Sequence, residues 1–418
     1  MHVIKSGRAV DCRFPLPEGA GSDAVHSQPE YCLAVTNLTT EDGLTGSGIV
    51  LTLGEGNRIV CELIELLLPA LFGREIEELM ADFGAFSRRL ADHPQLRWLG
   101  PHKGPVHLAL ASLTNACFDL WAKARGLPLW RLLLDLKPEE MIRLLDLSFL
   151  EDAMQDADAL GILQRHLSTR EQRMPVLKQG YPGYDTSVGW FHYDDATVRE
   201  KVKQALDSGF KGFKLKVGSK DGKRDLRRAH MLRELVGPQS LLMFDANQQW
   251  TYHQALEMCS GLRNTLPYWI EEPTHPDDVD AHRRLAEAIE PTAIALGEHV
   301  PNRVMFKSFL EGRAVHFVQV DCTRVAGISE FLTVSLLARK FERPVVPHVG
   351  DMGQIHQHLV LFNRIALGQP IVFLEYIPHL RNSFLHPAQV ENGYYKTPEE
   401  PGCSADLLPA VLSRAAAS

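Results

Sequence analysis

The chain has 418 residues, with 44 Lys+Arg against 52 Asp+Glu, a formal charge of −8 and 45% hydrophobic residues. This mild, dispersed acidity without a Lys/Arg run excludes nucleic acid and anionic membrane as partners, since both demand a concentrated positive patch. The seven cysteines are scattered without a C-x-x-C pair, no apolar run reaches the roughly 18 residues of a membrane span, and Met1-His2-Val3-Ile4-Lys5 begins no signal peptide, so a cytoplasmic globular protein is expected.

Residues 1 to about 54 read as a small antiparallel sheet. Tyr31 to Thr36 is β-rich, Asp42-Gly43 is a hairpin signal, and Ile49 to Leu53 forms a return strand. From Ile59 to about Leu136 the pattern is helical, with Ile59, Leu63, Leu66 and Leu67 on one face and a second apolar helix around Leu108 to Trp121. Residues 137–180 show no clear period.

From Tyr181 onward, short apolar strands alternate with amphipathic helices. The strands are expected at Gly212 to Val217, Leu241 to Phe244, Tyr268 to Ile270, Ala293 to Leu296, Phe317 to Val320, Pro344 to Val346 and Ile371 to Leu374. Val198, Val202, Ala205 and Leu206 make one intervening helical face closed by Gly209, and Ile328, Phe331, Leu332 and Leu336 make another before Pro344. Such alternation implies a parallel sheet; with one more strand before Trp190 it fits a closed α/β barrel of the TIM type, which takes about 250 residues.

Barrel enzymes place their chemistry at the C-terminal ends of the strands. Those ends carry Lys214 and Lys216, then Asp245, Glu271, Glu298, Asp321, His348 and Glu375; from Lys216 the differences between successive numbers are 29, 26, 27, 23, 27 and 27. Taken singly, an acid past a strand is most often a helix cap. Three on adjacent strands would crowd like charges at the barrel mouth and oppose ionisation. A divalent cation removes that conflict, and all-oxygen ligation by Asp245, Glu271 and Glu298 favours Mg2+ over zinc.

Lys214 and Lys216 are two apart on a strand and share a face, so each should disfavour charging of the other and lower a lysine towards the range of a general base. Asp321 and His348 close neighbouring strands, an arrangement in which a carboxylate orients a proton-transferring imidazole. Glu375 could hydrogen-bond a metal-bound carboxylate if acidic neighbours kept it protonated. A metal between a base and an acid suits removal of a proton α to a carboxylate.

The motifs Phe213-Lys214-Leu215-Lys216-Val217-Gly218, Asp245-Ala246-Asn247-Gln248, Ile270-Glu271-Glu272-Pro273, Gly297-Glu298-His299, Gln319-Val320-Asp321 and Pro347-His348 resemble those of the enolase superfamily, mandelate racemase subgroup. Lys or His bases with Mg2+ are the solution of that superfamily. The resemblance implies a modified (β/α)7β barrel over 181–385, a capping α+β domain over 1–180 whose loops select the substrate, and a segment 386–418 packing back on the cap. It implies Lys216 as base, Lys214 as its pKa-lowering and substrate-contacting partner, Asp245, Glu271 and Glu298 as Mg2+ ligands, His348 with Asp321 as the dyad, and Glu375 as the electrophilic carboxyl. A symmetric homo-oligomer is implied as well.

Within the subgroup the chain is most similar to the L-fuconate dehydratases, through Gly21-Ser22-Asp23-Ala24-Val25-His26, Gln95-Leu96-Arg97-Trp98-Leu99-Gly100-Pro101, Thr186-Ser187 with Gly189-Trp190, and Asn302-Arg303-Val304. Those enzymes remove the C2 proton of a sugar acid and expel the C3 hydroxyl to leave a 2-keto-3-deoxy acid. By the same resemblance Asp23, His26, Thr186, Trp190, Asn247 and Lys214 are expected to contact the substrate. Two segments depart from that group. Val349-Gly350-Asp351-Met352-Gly353-Gln354-Ile355-His356 stands where the group has a glycine-rich, mostly apolar stretch two residues longer, and Asp185 stands where it has Thr. Both are expected to line the pocket, which leaves a related aldonate such as L-lyxonate or L-galactonate as the alternative substrate. The same motifs are compatible with a racemase or epimerase of the subgroup and, remotely, with a non-catalytic binding protein.

Three features are read as structural: His356 and His358 as packing or surface, Gly46-Ser47-Gly48 and Gly54-Glu55-Gly56 as turns of the small sheet, and Lys223-Arg224 with Arg227-Arg228 as a solvated helix face.

Overall fold

Alternation in Val10-Asp11-Cys12-Arg13-Phe14 puts Val10, Cys12 and Phe14 on one face of a strand, and burying that face organises the first layer. In the computed structural model, which describes residues 1–415, this strand is β1 (Ile4–Phe14). It pairs antiparallel with β2 (Tyr31–Thr40), which pairs antiparallel with β3 (Thr45–Leu53) in the register Val35 to Ile49. The expected sheet thus gains a long first strand. Helix α1 (Gly56–Leu67) buries Val60, Leu63, Ile64 and Leu67, while Ile59 and Leu66 face solvent. The expected face is therefore one residue out of phase: the sheet takes the fuller i, i+3, i+4, i+7 stripe that starts at Val60.

Helix α2 (Gly104–Ala124) crosses β3 directly. Gly46-Ser47-Gly48 is not a turn but lies within β3. A Cβ on Gly48 would strike the Ser112 carbonyl and the Ala116 amide, and one on Gly46 would strike Leu120, so the absent side chains admit the helix to the sheet. Ser112 completes the contact by donating to Gly48 O at 3.1 Å. Gly48→Ala should lower stability by about 1–3 kcal/mol through overpacking. Gly56→Ala, where a Cβ meets nothing, is the control; equal melting temperatures for both variants would count against this packing.

The second layer is an α/β barrel of parallel strands in chain order, β4 (Tyr181–Gly189), β5 (Gly212–Lys216), β6 (Leu241–Asp245), β7 (Pro267–Glu271), β8 (Ala293–Leu296) and β9 (Phe317–Val318), with β10 (Leu374–Tyr376) pairing β4 on the other side. The segment expected as a strand at 344–346 contributes a single bridge, Val345 to Val318. The last strand begins at Leu374 rather than Ile371, so Glu375 lies inside it. Tyr184, Met243, Trp269, Ala295 and Val346 fill the barrel interior as one buried cluster, flooring the site above.

Helices α3 (Asp195–Asp207), α4 (Lys223–Val236), α5 (Arg303–Glu311), α6 (Ile328–Lys340) and α7 (Ile355–Leu367) lie in the barrel half. Ile328, Phe331, Leu332 and Leu336 of α6 are buried as expected, whereas Leu206 of α3 is partly exposed beside buried Val198, Val202 and Ala205. The basic run on α4 is not wholly solvated. Arg228 is buried, donating to Asp195 Oδ1 at 2.7 Å and to the Tyr193 carbonyl, and Arg224 lies 4.5 Å over the Phe191 ring.

Two ties join the layers. Arg303, 2% exposed in its side chain, donates to Asp146 Oδ2 at 2.6 Å, Ser148 Oγ at 2.6 Å and Glu330 Oε2 at 3.1 Å. After the barrel, β11 (Val390–Glu391) and β12 (Tyr394–Tyr395) form a hairpin on β4, and the chain then reaches the first layer. There Leu129 N donates to Gly402 O at 2.9 Å, Lys123 Nζ and Ser47 Oγ each reach the Asp406 carboxylate at 2.7 Å, and α8 (Pro409–Ala415) packs near β1. Among the described residues no helix is long and apolar enough to cross a membrane. All seven cysteines are free and buried.

Candidate active site

The strand ends converge because the parallel register puts them at one level. Lys216 pairs with Asp245 across β5 and β6, and Asp245 with Glu271 across β6 and β7. Glu298 follows β8 by two residues, Asp321 follows β9 by three, and Glu375 sits in β10. Backbone strain marks the same rim: Asn247, Gln248 and Glu272 hold φ of 42°, 64° and 41°, a region costly for Gln and Glu. Gln248 N donates to Glu272 O at 2.8 Å and Glu272 N to Ala295 O at 3.0 Å, which fixes these turns.

Each acid faces a basic group, and Lys214 serves two of them. Lys216 Nζ lies 2.5 Å from Asp245 Oδ2, and Lys214 Nζ lies 2.6 Å from Glu271 Oε1 and 2.7 Å from Glu375 Oε1. Glu298 meets His348 Nε2 at 3.0 Å through one oxygen and His299 Nδ1 at 3.2 Å through the other. His348 Nδ1 is 2.7 Å from Asp321 Oδ2, forming the dyad.

Electrostatics follow from these pairings. Burial alone would lower both lysines, but carboxylates outweigh it, Asp245 most strongly at Lys216 and Glu271 with Glu375 at Lys214, and both lysines are held above their ordinary range. The expected mutual lowering is thus overridden, because carboxylates outnumber ammonium groups in this layer. Glu271 is pushed up to about 8 by burial, with Asp245 and Glu375 adding to the rise and Lys214 opposing it. Burial would also raise Glu375, yet Lys214 and His348 hold it below the ordinary carboxylate range, so the expectation of a protonated Glu375 is reversed. Burial is likewise outweighed at His348, which Glu298 and Asp321 hold well above the imidazole range, and at Glu298, which His348 and His299 hold well below the carboxylate range. As the groups stand, these carboxylates favour the protonated form of His348.

Asp245, Glu271 and Glu298 do not crowd together. Among the described residues the groups whose ligand atoms lie within 4.8 Å of one another are Glu272 with Glu298 and His299, and Asp321 with Cys322 and His356. The three carboxylates are instead each held by Lys216, Lys214 or the two histidines, with Lys214 Nζ bridging Glu271 at 2.6 Å and Asp245 at 3.7 Å. The donor chemistry nonetheless fits a hard divalent cation: carboxylates at the ends of adjacent strands, each already held by a positive group, and a buried Asn247 Oδ1 without a hydrogen-bond partner beside them.

A cavity of about 210 Å³ opens above this layer, and the first layer closes it. Lys216, Glu298, His348 and Glu375 line it, together with Asp23, His26, Trp190 and Asn247. Asp23 shapes the covering loop: Oδ1 accepts Val25 N and His26 N at 2.7 Å each, and Oδ2 holds His26 Nδ1 at 3.0 Å. That hydrogen bond raises His26 above its usual range. The loop is pinned to the barrel by Ser22, whose carbonyl accepts Phe191 N at 3.1 Å and whose hydroxyl accepts His192 N at 2.9 Å.

Two expected substrate contacts lie below the cavity wall. Lys214 is fully buried beneath Glu271 and Glu375, and Thr186 donates to Glu375 Oε1 at 2.5 Å. Asp185 does not line the cavity either; burial pushes it up to about 6 while Ser187 N and Oγ cap it at 2.7 Å each. The other departing segment, Val349 to His356, does not line the cavity either, although His348 immediately before it does. Gly350 contributes differently: a Cβ there would strike Leu51 of β3, so its absence lets the first layer descend onto the His348 loop.

Residues missed by the sequence reading include Tyr31, Leu51, Leu53, Gln248, His299, Arg324 and Ile377, all lining the cavity. His299 follows a ligand candidate, and Arg324 lies three residues past Asp321, so adjacency to strand ends was a usable signal for both. Tyr31 and the two leucines come from a different layer and carry none.

Comparison with known proteins agrees with this architecture. Residues 17–133 match the family model described as mandelate racemase / muconate lactonizing enzyme, N-terminal domain, and residues 197–411 match the enolase C-terminal domain-like model. Mitochondrial enolase superfamily member 1 from Homo sapiens is 40% identical over 407 residues, covering 95% of this chain and 92% of that protein. Its crystal structure superposes with a TM-score of 0.96 over 98% of this chain and 95% of that one, at 39% identity. L-galactonate dehydratase from Hypocrea jecorina is 37% identical over 421 residues, 99% of this chain and 93% of that protein. L-talarate dehydratase from Polaromonas sp. JS666, crystallised with Mg and L-glucarate, is 25% identical with a TM-score of 0.74 over 99% of this chain and 97% of that one. With a cap that matches one model and a barrel that matches the other, the chain belongs to the enolase superfamily, in its mandelate racemase and muconate lactonizing enzyme branch.

Proposed function

We propose that this protein is a Mg2+-dependent aldonate dehydratase that removes the C2 proton of a sugar acid and eliminates the C3 hydroxyl to give a 2-keto-3-deoxy acid. The observation that carries the reading is one cavity holding Lys216 and the His348–Asp321 dyad beside carboxylate strand ends. Asp245, Glu271 and Glu298 would hold the metal. Bound there, Mg2+ would replace the lysine as partner of the carboxylates and polarise the carboxylate of the substrate. Lys216, as free amine, takes the C2 proton, and the electron pair left behind spreads into the substrate carboxylate. His348, protonated and oriented by Asp321, gives its Nε2 proton to the C3 hydroxyl as the C3–O bond breaks, releasing water. The enol that remains tautomerises to the 2-keto acid.

The resemblance to L-fuconate dehydratases and the similarity to an L-galactonate dehydratase point to one substrate shape, since L-fuconate is L-galactonate lacking only the C6 hydroxyl. Leu51, Leu53 and Ile377 in the cavity wall favour a terminal methyl group, hence L-fuconate. The margin over L-galactonate should stay within about 10²-fold, because an apolar pocket rejects an added hydroxyl weakly. Screening C5 and C6 aldonates, L-lyxonate included, with Mg2+ present should show 2-keto acid from this pair and loss of activity with EDTA. Exchange of the C2 proton in D2O with the hydroxyl retained would mark a racemase or epimerase instead. The reading also includes a cytoplasmic homo-oligomer. Fully exposed Trp98 beside half-exposed Leu99 supports the assembly, which light scattering tests.

A further inference from the structure

His356 lies on α7, outside the cavity, and is 1% exposed. Its Nε2 is 2.9 Å from Asp321 Oδ1, the oxygen that does not face His348. Asp321 Oδ1 also accepts Thr323 N and Thr323 Oγ1 at 2.7 Å each, while among the described residues Oδ2 accepts only His348 Nδ1, at 2.7 Å. The tautomer is determined by this geometry. A lone pair on Nε2 facing a buried carboxylate would be repelled, so Nε2 carries a proton and donates it. The Cys322 N–H, 3.3 Å from the same nitrogen, then has no lone pair there to donate to, while the Cys322 sulfur, also at 3.3 Å, is placed to accept weakly from it. The Phe331 ring packs against the imidazole at 6.3 Å between centroids.

We propose that His356 is a positioning residue for the elimination step: with Thr323 it occupies Asp321 Oδ1, leaving Oδ2 to hold His348 with its Nε2 aimed at the leaving hydroxyl. This rests on the dehydratase reading. His356 neither lines the cavity nor bonds Asp245, Glu271 or Glu298, the carboxylates assigned to Mg2+, so its removal should reach the chemistry only through Asp321 and His348. Proton abstraction by Lys216 does not pass through that pair. The contribution of His356 therefore belongs to one half of the reaction.

The test is steady-state dehydration of L-fuconate in D2O with Mg2+, following 2-keto acid formation and C2 deuterium in recovered substrate. His356→Leu should lower kcat at least about 10-fold, as loss of one hydrogen bond to a buried charge predicts, with KM changed less than about 2-fold. Its ratio of C2 exchange to dehydration should rise. His356→Gln, which can place an amide N–H against Asp321 Oδ1, should recover most of the rate and restore the wild-type ratio. Unchanged kcat in His356→Leu, or exchange and dehydration falling in step, would overturn the proposal. If the wild-type protein neither exchanges nor dehydrates any aldonate, the dehydratase reading itself fails and this assignment with it.

Discussion

Lys216→Ala should abolish both C2 proton exchange and 2-keto acid formation, each by about 10³-fold, within the 10²–10⁴ that a positioned base supplies. His348→Asn should divide the two: dehydration falls by a similar factor while C2 exchange persists. The reason is that the two side chains reach the cavity from different parts of the barrel rim and are held by different carboxylates, Asp245 for the lysine and Asp321 with Glu298 for the histidine. Deuterium incorporation followed by NMR, alongside a 2-keto acid assay, reads both steps in one sample. Retained exchange in Lys216→Ala would mean that another group abstracts the proton. Equal loss of both steps in His348→Asn would make the histidine part of the binding apparatus rather than the acid of elimination.

Arg303→Leu should destabilise the protein by about 3–5 kcal/mol, the cost of stranding a buried charge. Glu330 would keep only the hydrogen bond from the backbone amide of residue 303, at 2.7 Å, whereas Asp146 retains Arg88 at 2.5 Å. The uncompensated charge is therefore chiefly that of Glu330. Adding Glu330→Leu to Arg303→Leu should restore part of the loss, since removing both partners leaves no buried ion. Thermal denaturation of the two variants beside wild type measures this. An unaltered melting temperature in Arg303→Leu, or a further fall in the double variant, would contradict it.

The barrel and its ring of ionisable residues could be read from the sequence because each βα unit repeats one pattern and delivers one rim residue, so spacing along the chain maps onto position around the barrel. Lys216, Asp245, Glu271, Glu298, Asp321, His348 and Glu375 all stand at that rim. Features governed by contacts between distant segments were hidden. His356 bonds a carboxylate 35 residues earlier, and in sequence it is one histidine of an H-x-H on an apolar helix. Gly48 looks like a turn residue until the helix laid across it is known. The lysine charges depend on how many carboxylates share their layer, which strand spacing does not count. For α1, four apolar residues were consistent with two phases of the helix, and only the sheet beneath selects between them.

The tie between Asp406 and the first layer bears on the order in which the protein is built. Asp119 and Lys123 on α2 are synthesised early, yet Asp119 Oδ1 also accepts Cys403 N at 2.7 Å and Lys123 is shared with Asp406. Until residues 402–406 leave the ribosome, this charged pair lacks Cys403 and Asp406, and Gly402 has not joined Leu129. The layer that covers the cavity is thus translated before the barrel yet completed after it, so a nascent chain with a formed barrel still has a loosely held roof.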